Sequence, residues 1–185
     1  MIWSDISDEL MDILTPYSDW FFQQDLTSLN KLAKDNPKNT DTMDNGCSTE
    51  YLHKVVEADG RHEGYPEISY SYDLKRGNLP GEFQEKYQNL STELCTWLGA
   101  RNEAVHVYYP INGFMSWHNN WNAPGYNILL SYTKNGGGFF KYRDPKTHEV
   151  IEMLDTPGWS CKVGYYGRGR EPDKVYYHTA GTHEP

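Results

Sequence analysis

The chain has 185 residues, with 17 Lys plus Arg against 26 Asp plus Glu, a formal charge of −9. That length suits one domain of the usual ~100–200 residues, and the acidic balance argues against nucleic acid or an anionic membrane as the main partner, since either would repel it. Aromatic residues make up 15% of the chain, with 15 Tyr and 6 Trp, too many for a disordered acidic polypeptide.

Read from the start, Met1-Ile2-Trp3-Ser4-Asp5 has neither the basic residues nor the apolar stretch of a signal peptide, and no apolar run approaches the ~18 residues of a membrane span. Asp5 to Leu14 places Ile6, Leu10, Ile13 and Leu14 on one face, a helix that Pro16 is expected to stop. A second helix is expected from about Asp25 to Lys34, with Leu26, Leu29, Leu32 and Ala33 inward. Asp35 to Gly46 offers almost nothing to bury and reads as an exposed loop. Tyr51 to Val56 fits a short strand or a helix equally, and the alternation of Ile68, Tyr70 and Tyr72 suggests a strand. Gly81 to Leu98 is the strongest helix, with Phe83, Tyr87, Leu90, Leu94 and Leu98 in one stripe and Gly99 to end it.

The pattern changes after residue 100. Val105–Tyr109, Tyr126–Thr133, Gly138–Tyr142, Val150–Leu154, Ser160–Tyr166 and Val175–His178 are short and β-rich, at roughly the 8–12-residue spacing of a sandwich or barrel. Asn135-Gly136-Gly137-Gly138 is a turn that suits glycine backbones. The expectation is one mainly β domain over 1–185: a helical and irregular part (1–100) packed outside a β-core (101–185). The three cysteines, Cys47, Cys95 and Cys161, are odd in number and widely spaced, which predicts reduced thiols and a cytoplasmic location.

Of seven histidines, two stand out by context. His118 follows Tyr109-Pro110-Ile111-Asn112-Gly113 and opens a His-x-Asn step between Trp117 and Trp121; His178 ends a Val-Tyr-Tyr-His strand. Two imidazoles from separate strands, with the Asn120 oxygen two residues after the first, can occupy one triangular face of an octahedral metal. His106 is expected to be hydrogen-bonded or exposed, and His183 to lie in an exposed tail.

From about Ala104 to His178 the chain resembles the catalytic core of Fe(II)/2-oxoglutarate-dependent dioxygenases. Tyr109-Pro110-x-Asn112-Gly113, Gly137-Gly138-Phe139-Phe140-Lys141-Tyr142, and His178 followed by Gly181 resemble the prolyl-hydroxylase-like branch. His118 to Gly125 and Phe139 to Pro145 resemble the small cyanophage-type oxygenases more closely. The resemblance implies a double-stranded β-helix (a jelly roll) and the cofactors Fe(II), 2-oxoglutarate and O2, with ascorbate as auxiliary reductant. It implies hydroxylation of an unactivated C–H bond of a small molecule or peptide, releasing succinate and CO2. It also implies host cytoplasm as the location of a phage-encoded enzyme.

Carried onto this chain, the metal and catalytic residues are His118, Asn120 and His178, and Tyr109 and Tyr132 are the cosubstrate tyrosines. Trp117 and Trp121 would shield the centre from water. Most of the family has a carboxylate where this chain has Asn120; Asp144 and Asp155 are the alternative oxygen ligands. The family's cosubstrate-binding Arg or Lys, with its strand, would fall beyond Pro185, leaving Arg143, Arg168 and Arg170 as candidate cations. The alternative is a catalytically impaired β-roll binding protein of the same fold.

Overall fold

The computed structural model describes residues 1–58, 66–75, 79, 81–120, 124–167 and 171–184. In chain order they form β1 (Ile2–Ser4), α1 (Asp8–Phe21), α2 (Thr27–Lys34), α3 (Met43–Gly46), α4 (Thr49–Glu57), β2 (Ser69–Tyr70), β3 (Tyr72–Asp73) and α5 (Gly81–Leu98). There follow β4 (Val107–Tyr108), β5 (Phe114–His118), β6 (Gly125–Thr133), β7 (Gly138–Arg143), β8 (Val150–Leu154), β9 (Gly158–Tyr166) and β10 (Tyr177–Thr182). A 3-10 turn over Pro172–Lys174 leads into β10.

The strands pair antiparallel in three sheets, ordered β1-β9-β6, β2-β5-β10-β7-β8 and β3-β4. The chain is thus mainly β with flanking helices, and the sheets are not closed on one another. The two larger sheets meet over an apolar layer: Phe140, Tyr142 and Met153 from the five-stranded sheet pack with Met1, Leu129 and Tyr176. Helices cover the far faces. Leu10, Leu14 and Leu90 of α1 and α5 pack on Leu130 and Trp159 of the three-stranded sheet. On the five-stranded sheet, Met43 lies against Phe114 and Phe139, while Tyr51, Leu52 and Val55 of α4 bury Trp117.

Several expectations change. The first helix does not stop at Pro16 but runs through it to Phe21. Proline removes one backbone donor and costs about 3 kcal/mol in a helix interior; the next turn offsets this by placing Tyr17, Trp20 and Phe21 against Phe83 and Tyr108. The stretch 35–46 is not all loop, because Thr42 caps α3 and Met43 is buried. Residues 51–56 are helical: the Ser48 hydroxyl accepts the Tyr51 N–H at 3.0 Å, a cap that commits the segment to α4. The N-terminus adds an unexpected strand, β1, to the three-stranded sheet, while the strand expected around Ile68 to Tyr72 forms as β2 in the five-stranded sheet and β3 in the two-stranded one. Gly99 ends α5 with φ +60, and Gly136 and Gly137 turn at φ +90 and +88, a region open to glycine.

Candidate metal centre

β5 is buried along its whole length, so alternation alone cannot say which way His118 points. The pairing with β10 decides it. His178 lies opposite His118 while Ala180 lies opposite Met115, so β5 carries one extra residue between those points. Such a bulge breaks the two-residue period and re-aims the side chains beyond it. Phe114 and Trp117, three residues apart, therefore both face the helices. His118 turns inward to meet His178, as directly opposed residues share a face. Their ring centroids are 4.3 Å apart.

Both imidazoles are held the same way. His118 Nδ1–H donates to the carbonyl of Ser116 at 2.7 Å, and His178 Nδ1–H donates to the carbonyl of Tyr176 at 3.1 Å. A carbonyl can only accept, so each Nδ1 carries the proton and each Nε2 keeps its lone pair, the orientation that metal-ligating histidines require. Burial, and then the neighbouring His178, hold His118 well below the ordinary imidazole value. Burial lowers His178 to about 4. Both rings are neutral at physiological pH. Phe140 stacks on His178 at 5.6 Å, and Tyr166, from the opposing sheet, closes on it at 5.3 Å. Tyr166 in turn stacks on Tyr176 at 5.2 Å.

The remaining predicted residues distribute unevenly. Asn120 comes two residues after His118, beyond the end of β5 and half-buried. Tyr109 sits just past β4 with its phenol pushed up by burial, within electrostatic reach of Cys47. Tyr132 faces away from the histidines: it packs on Phe22 and Trp159 on the helix-covered side of β6, the side Leu130 shares. That removes it from the set, because alternate residues on a strand serve opposite faces. Trp117 is likewise turned outward and is core to α4, so it shields no centre; Trp121 lies outside the described residues. Asp144 accepts the backbone N–H groups of Lys146 and Thr147 in a turn, and Asp155 is paired with Lys162. Among the described residues, no group of three or more His, Cys, Asp or Glu side chains forms a metal cluster, so no carboxylate completes the pair. Arg143 ends β7 opposite Val150 and Tyr177, while Arg168 and Arg170 lie outside the described residues. His106 is hydrogen-bonded, to the Tyr17 hydroxyl at 3.2 Å and to Glu103 at 3.2 Å, and His183 is exposed, as expected.

One residue escaped the sequence reading. Lys162, on β9, has no exposed surface; its ammonium contacts Asp155, donates to the Ser131 hydroxyl at 3.1 Å and lies 4.6 Å from the Trp3 ring centre. The available signal was a lysine inside the β-rich run Ser160–Tyr166.

No helix among the described residues is long and apolar enough to cross a membrane. Comparison with protein-family models, with curated proteins and with solved structures finds no match for this chain.

Proposed function

We propose that the chain is an Fe(II)- and 2-oxoglutarate-dependent dioxygenase that hydroxylates an unactivated C–H bond of a small molecule or peptide, on a core of double-stranded β-helix type. The observation that carries this reading is the pair His118 and His178: opposed across β5 and β10, buried and neutral, each with Nδ1 tied to its own strand and Nε2 left for a metal. Imidazole nitrogens suit Fe(II), and Asn120, two residues after His118, offers an amide oxygen as a third, neutral donor. The residues present therefore fit a divalent ion held by two imidazoles. Two antiparallel sheets with the histidines on the inward face also agree with such a core.

Bound there with 2-oxoglutarate and O2, the iron supplies the oxidising power for C–H hydroxylation, with release of succinate and CO2. The protein's share is geometric. The Ser116 and Tyr176 carbonyls fix ring tautomer and direction. Phe140 and Tyr166 pack against His178 and keep bulk water from that side. Burial keeps both imidazoles neutral, with Nε2 unprotonated, so metal binding there need not displace a proton at neutral pH.

The test is anaerobic titration with Fe(II) or Mn(II), followed by assay of succinate from 2-oxoglutarate. One ion per chain is expected, lost in His118→Ala and His178→Ala; a wild-type protein that binds no ion overturns the reading. A second reading, a binding protein of the same fold without turnover, is favoured by the lack of a carboxylate beside the pair among the described residues. Under it, Mn(II) with 2-oxoglutarate leaves thermal stability unchanged, whereas any ligand of the folded state must raise it.

A further inference from the structure

We propose that the free edge of β6 is an interface between two copies of this chain, whose β6 strands pair antiparallel about a two-fold axis at Leu129 and join two three-stranded sheets into one of six strands. The inference rests on the sheet alone and does not need the dioxygenase reading.

β6 ends the strand order β1-β9-β6, and among the described residues no backbone group pairs with its other edge. An unpaired edge is ordinarily kept short, charged or interrupted by proline, because its N–H and C=O groups invite a foreign strand. The other outer strands of the two larger sheets obey that rule: β1 has three residues, β2 has two, and β8 carries Glu152, paired with Lys141. β6 does not. Its nine residues, Gly-Tyr-Asn-Ile-Leu-Leu-Ser-Tyr-Thr, include neither a charge nor a proline.

The order of those residues identifies the occupant. A two-fold interface must be self-complementary, with residue i meeting j wherever j meets i. About Leu129 the strand reads nearly alike in both directions: Ile128 would face Leu130 of the second copy, Asn127 would face Ser131, and Tyr126 would face Tyr132. Each pair joins like with like at a Cβ separation of ~5 Å, the geometry through which neighbouring strands stabilise one another. Exposure is complementary too. Leu130 lies under α1 and α5 and Tyr132 against Phe22, whereas Tyr126 is 82% and Ile128 44% exposed on the same face of the strand. Antiparallel pairing lays the bare half of each strand beside the covered half of the other, and brings Tyr126 toward Tyr132 and Phe22 of the second copy.

Nine residues make an edge ~31 Å long and ~10 Å deep. With the exposed part of Tyr126 that comes to roughly 500 Å² per copy, or about the 1,000 Å² in total that a specific interface needs. Alternate residues turn their backbone groups outward, so about four or five per strand supply ~8–10 hydrogen bonds, the number found in an ordinary interface.

The experiment is sedimentation of the full chain from about 1 to 200 µM, in about 0.3 M NaCl to screen the repulsion between two chains of −9. A reversible dimer is expected, with amide exchange in β6 slowing as concentration rises. The double variant Y126K/I128K alters side chains already in solvent and should weaken dimerisation by about 100-fold or more. Tyr126→Lys alone, at the more exposed position, should weaken it in the same sense if the double variant folds poorly. Leu154→Lys, which adds a positive charge at an exposed position of β8, should leave the dimer intact. A wild type that stays monomeric throughout overturns the proposal, however fast its β6 amides exchange. So does a dimer that survives the β6 lysine variants, one that Leu154→Lys dissolves equally, or one whose β6 exchange is independent of concentration.

Discussion

Acidifying the metal-free protein should unfold it through the histidine pair. His178 has a value of about 4 in the folded chain against about 6.5 for a free imidazole, because its burial excludes the charged form. Between those values the unfolded chain binds a proton that the native one refuses. Stability is therefore complete above pH 6.5, falls as pH falls through the window, and stops falling from this source below pH 4. A difference of 2.5 units at about 1.36 kcal/mol each gives roughly 3 kcal/mol from His178. His118 is lowered in the same direction and adds to the loss. Urea denaturation at pH 7, 6, 5 and 4.5, in wild type and His178→Gln, isolates the contribution, since the carboxylates titrate alike in both. The wild type should lose about 2–3 kcal/mol more than the variant over that range. Parallel curves would mean that the imidazole is solvated in solution, and would remove the burial on which the neutral, metal-ready pair depends.

Three further outcomes rest on particular residues. Asn120→Asp should tighten Mn(II) binding by about tenfold or more if the amide oxygen is a ligand, a carboxylate being the better donor to a hard divalent ion; calorimetry reads this directly, and weaker binding would exclude Asn120. Trp117 is 1% exposed with its indole N–H unpartnered, so Trp117→Phe should cost only about 1 kcal/mol, the smaller ring offset by loss of an unsatisfied donor, whereas Trp117→Ala should cost about 3–5 kcal/mol. Denaturant midpoints separate the two. In Gly46→Ala the new Cβ would sit 2.5 Å from Phe114 Cε2 and 3.2 Å from Ser116 Cβ, so α3 must lift from β5 at a cost of about 1–3 kcal/mol. An unchanged melting temperature would show that α3 is not seated there.

Much of the fold was legible in the sequence because its signals are local. The stripe Phe83-Tyr87-Leu90, the Gly99 stop and the Gly136-Gly137 turn each act within a few residues, and α5 and β6 to β9 form close to where the pattern puts them, whereas β10 starts two residues later than expected and runs on to Thr182, so that His178 lies near its start and does not end it. The N-terminal third was less readable, because its elements are short and owe their existence to what they cover: α3 is four residues seated on Phe114, and β1 is three residues paired with β9.

The amino-acid order alone put His118 and His178 in separate β-elements and a neutral amide two residues after the first. Only the assembled sheets decided which way the side chains face. One additional residue in β5 relative to β10 turns His118 inward and Trp117 outward, strand parity sends Tyr132 to the helices, and the same parity brings Lys162 inside. The physical reason is that both faces of these strands are covered, so apolar and polar residues no longer mark inside and outside. Orientation then depends on register against a partner strand far away in the chain, and local sequence carries no record of that register.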